Sequence, residues 1–134
     1  MTPRARRILW LDSLGALLAG VLVLGLRERL AHLYGLPLAL VTAMGLVNLV
    51  YGCGSGALAR QASRGARPAR RWVDLLIAGN LAWAGVCVIL AATWWTTVSP
   101  WGLLQLLGEG AYVGALGLVE RRWVRPESAA VSAA

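Results

Sequence analysis

Four long apolar runs alternate with short arginine-bearing segments along the chain. A helix needs about 20 predominantly apolar residues to cross the hydrocarbon of a bilayer. The runs from Ile8 to Leu26, Leu36 to Leu58, Trp72 to Trp94 and Trp101 to Val119 each meet that length. The pattern predicts an all-α integral membrane protein, a single membrane domain over residues 1–134 built as a four-transmembrane-helix bundle. Residues 59–71, ARQASRGARPARR, read as a polar loop with Gly65 and Pro68 as breakers. Ser99 ahead of Pro100 reads as the cap of the last helix. The stretch from Arg27 to Gly35 keeps a helical rhythm through Leu30 and Leu33, so the first helix projects past the membrane or bends along its surface until Gly35 stops it. The small, polar residues 126–134 read as a mobile tail.

Composition supports the membrane reading. The hydrophobic fraction is 58% and the charged fraction 14%, whereas soluble domains carry roughly a quarter charged residues. A net charge of +7 raises the question of nucleic acid. All thirteen basic residues are arginines set in blocks between apolar runs, not spread over one soluble face, so no nucleic-acid partner is expected. The expected partner is the lipid bilayer, with a homodimer or a larger membrane complex as further possibilities.

The same arginines give a direction. Arg4, Arg6 and Arg7 precede the first run, five arginines from Arg60 to Arg71 fall between the second and third, and Arg121, Arg122 and Arg125 follow the fourth. The opposite side carries only Arg27 and Arg29, with Glu28 between them. Positive connections stay in the cytoplasm, which places both termini there and the protein in the cell inner (plasma) membrane. Tryptophans mark both edges: Trp10, Trp72 and Trp123 on the arginine side, Trp94, Trp95 and Trp101 on the other, leaving Trp83 alone in mid-span. Residues 4–26 also fit a signal peptide in outline. Their apolar core of about 19 residues exceeds the usual 7–15 and contains Asp12, so an uncleaved helix is expected.

A faint repeat runs through the chain. Trp10 and Asp12 match Trp72 and Asp74 in spacing, and Asn48 with Tyr51 matches Glu109 with Tyr112. A duplicated helical hairpin would give a pseudo-twofold axis along the membrane normal.

The candidate chemistry lies in the few polar residues inside the runs. At about 1.5 Å rise per residue, Glu109 and Asn48 fall about 17 Å from the arginine edge, and Tyr51, Tyr112 and Asn80 about 12 Å from it. A central acidic residue costs about 3 kcal/mol to insert. Glu109 is therefore expected to face inward, protonated or hydrogen-bonded to Asn48, Asn80 or a tyrosine. Amide glue between helices explains the asparagines alone, but a neutral Gln would serve as glue at lower cost than Glu109. Asp12 and Asp74 lie within reach of the arginines, and each reads as the partner of one in an interfacial ion pair, or as a cytoplasmic-side gate. Glycines line the second and fourth runs, fitting close helix packing or a dimer seam.

Other chemistries are poorly served. YGCGSG from Tyr51 lacks the Lys-Ser/Thr ending of a phosphate loop. Cys53 and Cys87 fall at different depths, which disfavours a disulfide. His32 alone makes no metal or haem site, no cofactor is implied, and no catalytic pair is recognisable beyond a weak Glu28–His32 spacing. The size and layout resemble small multidrug exporters in architecture alone, and their acidic residue is in the first helix. The function that fits best is a carrier or conduit for a proton or small solute, with Glu109, Asn48, Asn80, Tyr51 and Tyr112 as its binding residues. An accessory subunit docking through Arg27–Tyr34 is the alternative, and a lipid- or quinone-modifying enzyme comes third.

Overall fold

The computed structural model describes residues 1–129. Five α-helices follow one another: α1 (Pro3–Gly25), α2 (Arg27–Tyr34), α3 (Leu38–Ser63), α4 (Arg70–Thr93) and α5 (Pro100–Trp123), with a 3₁₀ turn at Arg125–Glu127. No β-strand occurs among the described residues. All helices but α2 are long and apolar enough to cross a membrane. Two starts are capped by side chains. Thr2 Oγ1 accepts from the Ala5 N–H at 3.3 Å ahead of Pro3, and Ser99 Oγ accepts from the Gly102 N–H at 3.1 Å ahead of Pro100. Each hydroxyl satisfies one of the N–H groups a helix start leaves free, and proline costs nothing there.

The distribution of side chains is the reverse of a soluble protein. Leu11, Leu14, Leu18, Val50, Leu75, Ile89, Leu104 and Leu118 are exposed, while Asp12, Ser13, Ser55, Asn80 and Glu120 are buried. Exposed apolar area on this scale has no place in water, where monomers rarely expose contiguous patches beyond a few hundred Å². It suits lipid tails.

The long helices associate in two pairs. α1 packs along α3 and α4 along α5, and the two pairs meet each other over far less surface. Glycine sets both seams. A Cβ on Gly20 would lie 2.9 Å from the backbone N of Leu49, and one on Gly52 2.9 Å from the backbone N of Leu17. α1 and α3 therefore touch backbone to backbone. In the second pair Gly110 sits against Ala84 and Cys87, and Gly117 against Asn80 and Leu81. Lipid gives no hydrophobic drive for helices to associate, so such close van der Waals contact is what holds them. Gly54 and Gly108 have nothing within 4 Å and belong to neither seam. The pairing of α1 with α3 and of α4 with α5 follows the order of the sequence repeat.

The chain turns at Leu26 (φ −111°, ψ 11°), so α2 is a separate helix. Gly35, at φ +67°, ends α2 in the left-handed conformation that favours glycine. Two hydrogen bonds pin α2 to the start of α5: the Ser99 hydroxyl donates to the Leu33 carbonyl at 2.6 Å, and the Ser99 N–H to the Tyr34 carbonyl at 2.9 Å. Ala31, Leu36, Val41 and Val98 form an apolar cluster beneath it.

Three arginine-bearing segments gather at the opposite end. The Thr2 N–H and hydroxyl both donate to the Glu127 carboxylate. The Arg4 guanidinium stacks 3.8 Å above the Trp123 ring, and Trp10 Nε1–H donates to Ser63 Oγ at 3.0 Å. A second apolar cluster, with Ala5, Leu9, Ala59, Val73, Ile77 and Val124, fills the space between them.

Two boundaries need correction. α3 continues to Ser63, so the connection expected over 59–71 is only residues 64–69. The expected tail at 126–134 is tied down where it is described. The Ala129 N–H donates to the Pro68 carbonyl and the Arg70 N–H to the Ala129 carbonyl, each at 3.0 Å. These bonds satisfy backbone groups that the short connection would otherwise leave unpaired. Residues 130–134 lie outside the described residues.

Candidate functional site, an acid-lined cavity between the helix pairs

The loose fit between the two pairs leaves a cavity of about 470 Å³, within the range of about 300–1,000 Å³ typical of ligand pockets. All four long helices line it: α1 with Asp12 and Ala16, α3 with Asn48 and Tyr51, α4 with Asn80 and Trp83, α5 with Gln105, Glu109 and Tyr112. Val47, Ala82, Val86 and Tyr112 are lining residues that are also exposed. They sit in the middle of their helices, so the cavity opens sideways at the depth of the apolar layer.

Glu109 borders this cavity and is held by three neutral donors from three helices. Asn48 Nδ2 and Trp83 Nε1 donate to Oε1 at 3.2 and 2.7 Å, and Gln105 Nε2 donates to Oε2 at 3.0 Å. A carboxylate offers about four acceptor positions. Three are filled, and the fourth, on Oε2, is open. No arginine reaches the group: among the described residues the one ion pair is Arg125 with Asp74. The Asn48 amide is anchored in turn on the Met44 carbonyl at 3.0 Å. From the α2 end, the Tyr34 hydroxyl donates to Gln105 Oε1 at 3.4 Å, which extends the hydrogen-bonded chain from Glu109 to α2. Burial, and then the nearby Glu109 charge, push the Tyr34 hydroxyl above the usual phenol range, so it acts as a neutral donor.

The other polar residues form a second cluster, nearer the arginine end. Asn80 Nδ2 donates to Glu120 Oε2 at 3.0 Å and to Asp12 Oδ1 at 3.5 Å. Tyr51 and Ser55 lie beside Asp12. The Ser13 hydroxyl donates to the Gly52 carbonyl at 2.9 Å, and Ser55 to the same carbonyl at 3.4 Å. Asp12 and Glu120 are 2% and 0% exposed.

The belt expected from the sequence is thus two clusters along one cavity. Glu109 meets Asn48 but not Asn80 or Tyr51, which join Asp12 instead. Tyr112 lines the cavity, half exposed, with its hydroxyl close to Gly15 of α1. Asp74 pairs with Arg125 at the surface. Asp12 has no arginine partner among the described residues, which corrects the ion-pair expectation for that residue. It is buried on the inner face of α1, lining the cavity.

Trp83, Gln105, Tyr34 and Glu120 were not expected at the site. Glu120 had a detectable signal. It follows Glu109 by eleven residues, about three full helical turns, so both lie on one face of α5. Ending the fourth run at Val119 assigned it to the arginine segment. Trp83 was visible as the one tryptophan away from the edges, and its N–H needs a partner at that depth.

Cys53 and Cys87 are free thiols, the first exposed and the second buried against Gly110. Among the described residues no group of three or more His, Cys, Asp or Glu side chains is placed to hold a metal. No protein-family model, curated protein or solved structure matches the chain, so any functional reading rests on this site.

Proposed function

We propose that this chain is a small membrane carrier or conduit for a proton or small hydrogen-bonding solute, with Glu109 as its central site. The observation that carries the reading is the state of Glu109. It faces a cavity, takes hydrogen bonds from Asn48, Trp83 and Gln105, has no cationic partner, and keeps one acceptor position free. A purely structural polar contact needs no ionisable group, and an acidic group at mid-membrane costs about 3 kcal/mol. Tyr34 and Gln105 supply a hydrogen-bonded approach from one end. The cluster of Asp12, Asn80, Tyr51 and Glu120 lies towards the other end.

In this reading the four long helices form a bundle in the cell inner membrane. Both termini face the cytoplasm, because the arginines collect at that end. The sideways opening is where a second copy would sit to enclose the path.

The test is proton flux into liposomes carrying the purified protein and the trapped pH dye pyranine, with a pH gradient imposed and the potential clamped by valinomycin and K⁺. The wild-type protein is expected to collapse the gradient, and Glu109→Gln, which keeps the shape of the side chain, to do so at least tenfold more slowly. Equal rates in the two proteins would refute proton conduction through Glu109.

A further inference from the structure

Asp12 and Glu120 form an acid pair that the role of Glu109 does not use. Both are almost fully buried. Each is bonded on one oxygen by the same nitrogen, Asn80 Nδ2, at 3.5 and 3.0 Å, so those two oxygens are no more than 6.5 Å apart. Each has its other oxygen buried and without a hydrogen-bond partner, Oδ2 of Asp12 and Oε1 of Glu120, and the Tyr51 hydroxyl beside them is unpartnered too. Buried polar atoms are nearly always paired, and the Tyr51 hydroxyl, which lies beside Asp12, is the nearest group that could pair with a free acid oxygen. Two carboxylates in apolar surroundings with no cation cannot both be ionised.

We infer that Asp12 and Glu120 form a second binding site, whose ligand is one exchangeable proton held between them on the arginine side of the cavity. A proton fits the chemistry better than a metal ion. Asn80 presents its N–H groups to both acids, where a metal would need its carbonyl oxygen. One proton on the pair turns a free acid oxygen into a donor, and the Tyr51 oxygen beside Asp12 is an available acceptor. The titratable and charged groups around the pair are few. α3 contributes Tyr51, α5 contributes Tyr112, α4 contributes only the neutral Asn80 at this depth, and Asp74 and Arg125 are paired with each other at the surface. The pair stands eleven residues from Glu109 on α5, about 16 Å along the helix. Its use as a second station in transport rests on the carrier reading, whereas its occupancy by a proton does not.

The experiment is an infrared pH titration of the protein in lipid nanodiscs, carried out on Glu109→Gln so that the central acid cannot contribute. The expected result is the carbonyl stretch of one protonated carboxyl per chain at neutral pH, absent when Asp12→Asn and Glu120→Gln are added. Should the triple variant fail to fold, adding Glu120→Gln alone is expected to shift the band, because the proton loses its partner oxygen. Absence of the band at neutral pH, or a band unchanged by these substitutions, would overturn the proposal. Loss of the band on adding Na⁺ or K⁺ at constant pH would also overturn it, by assigning the site to a metal cation. None of these results depends on transport, so this proposal and the one for Glu109 fail separately.

Discussion

Replacing Trp83 with phenylalanine removes one donor from Glu109 while keeping most of the ring. A buried hydrogen bond contributes about 0.5–1.5 kcal/mol net, and more where the acceptor is charged, and the loss should appear as a lower thermal midpoint in detergent. Trp95, which is 65% exposed, provides the control: Trp95→Phe should stay within about 0.5 kcal/mol of wild type. Equal midpoints for the two variants would mean that the indole N–H does not support the acid. Individual residues were legible in the sequence where depth alone determined their surroundings. Glu109 and Asn48 sit at one depth on different runs, and they meet. Asn80 and Tyr51 also shared a depth with Tyr112, yet they turn to Asp12, because rotation about each helix axis depends on the glycine seams and depth does not encode it. Glu120 was hidden by its neighbours. An acid beside two arginines reads as solvated, and only its spacing from Glu109 places it on the inner face.

At the scale of the helices, the seams can be tested with matched glycines of α3. Gly52→Ala places a methyl against the backbone of Leu17 and should cost about 1–3 kcal/mol, as overpacking does. Gly54→Ala meets open space and should be neutral or gain up to about 1 kcal/mol from helix propensity. Thermal unfolding of both in the same detergent decides the matter, and equal effects would contradict the pairing of α1 with α3. The four long helices were readable because twenty apolar residues in a row admit few alternatives. Their ends were less so. Hydropathy falls at the first arginines, but α3 and α5 run on to Ser63 and Trp123. Arginine is a good helix former, and its long side chain can reach past the apolar layer to water. The break at Leu26 has no proline or glycine at the turning residue itself, which is why Arg27–Tyr34 read equally well as a continuation of the first helix.

For the whole molecule, the gathering of Thr2, Pro68 and Glu127 at one end means that both ends of the described chain share a side. The proposed orientation predicts that a green fluorescent protein fused after Ala134 fluoresces in cells and that an alkaline phosphatase fused there is inactive. An active phosphatase fusion would reverse the orientation. A polar pocket around Glu109 was an expectation from the sequence, but its shape and lining could not be read there, because they arise from the loose fit between two tightly built pairs. Its polar lining is meaningful for transport only if water reaches Glu109. Water-edited solid-state NMR in lipid bilayers measures that directly. The Glu109 carboxyl carbon, identified by its loss in Glu109→Gln, is predicted to receive magnetisation from water much faster than the fully buried Leu106. Transfer to Glu109 as slow as that to Leu106 would show a dry contact and contradict the carrier reading.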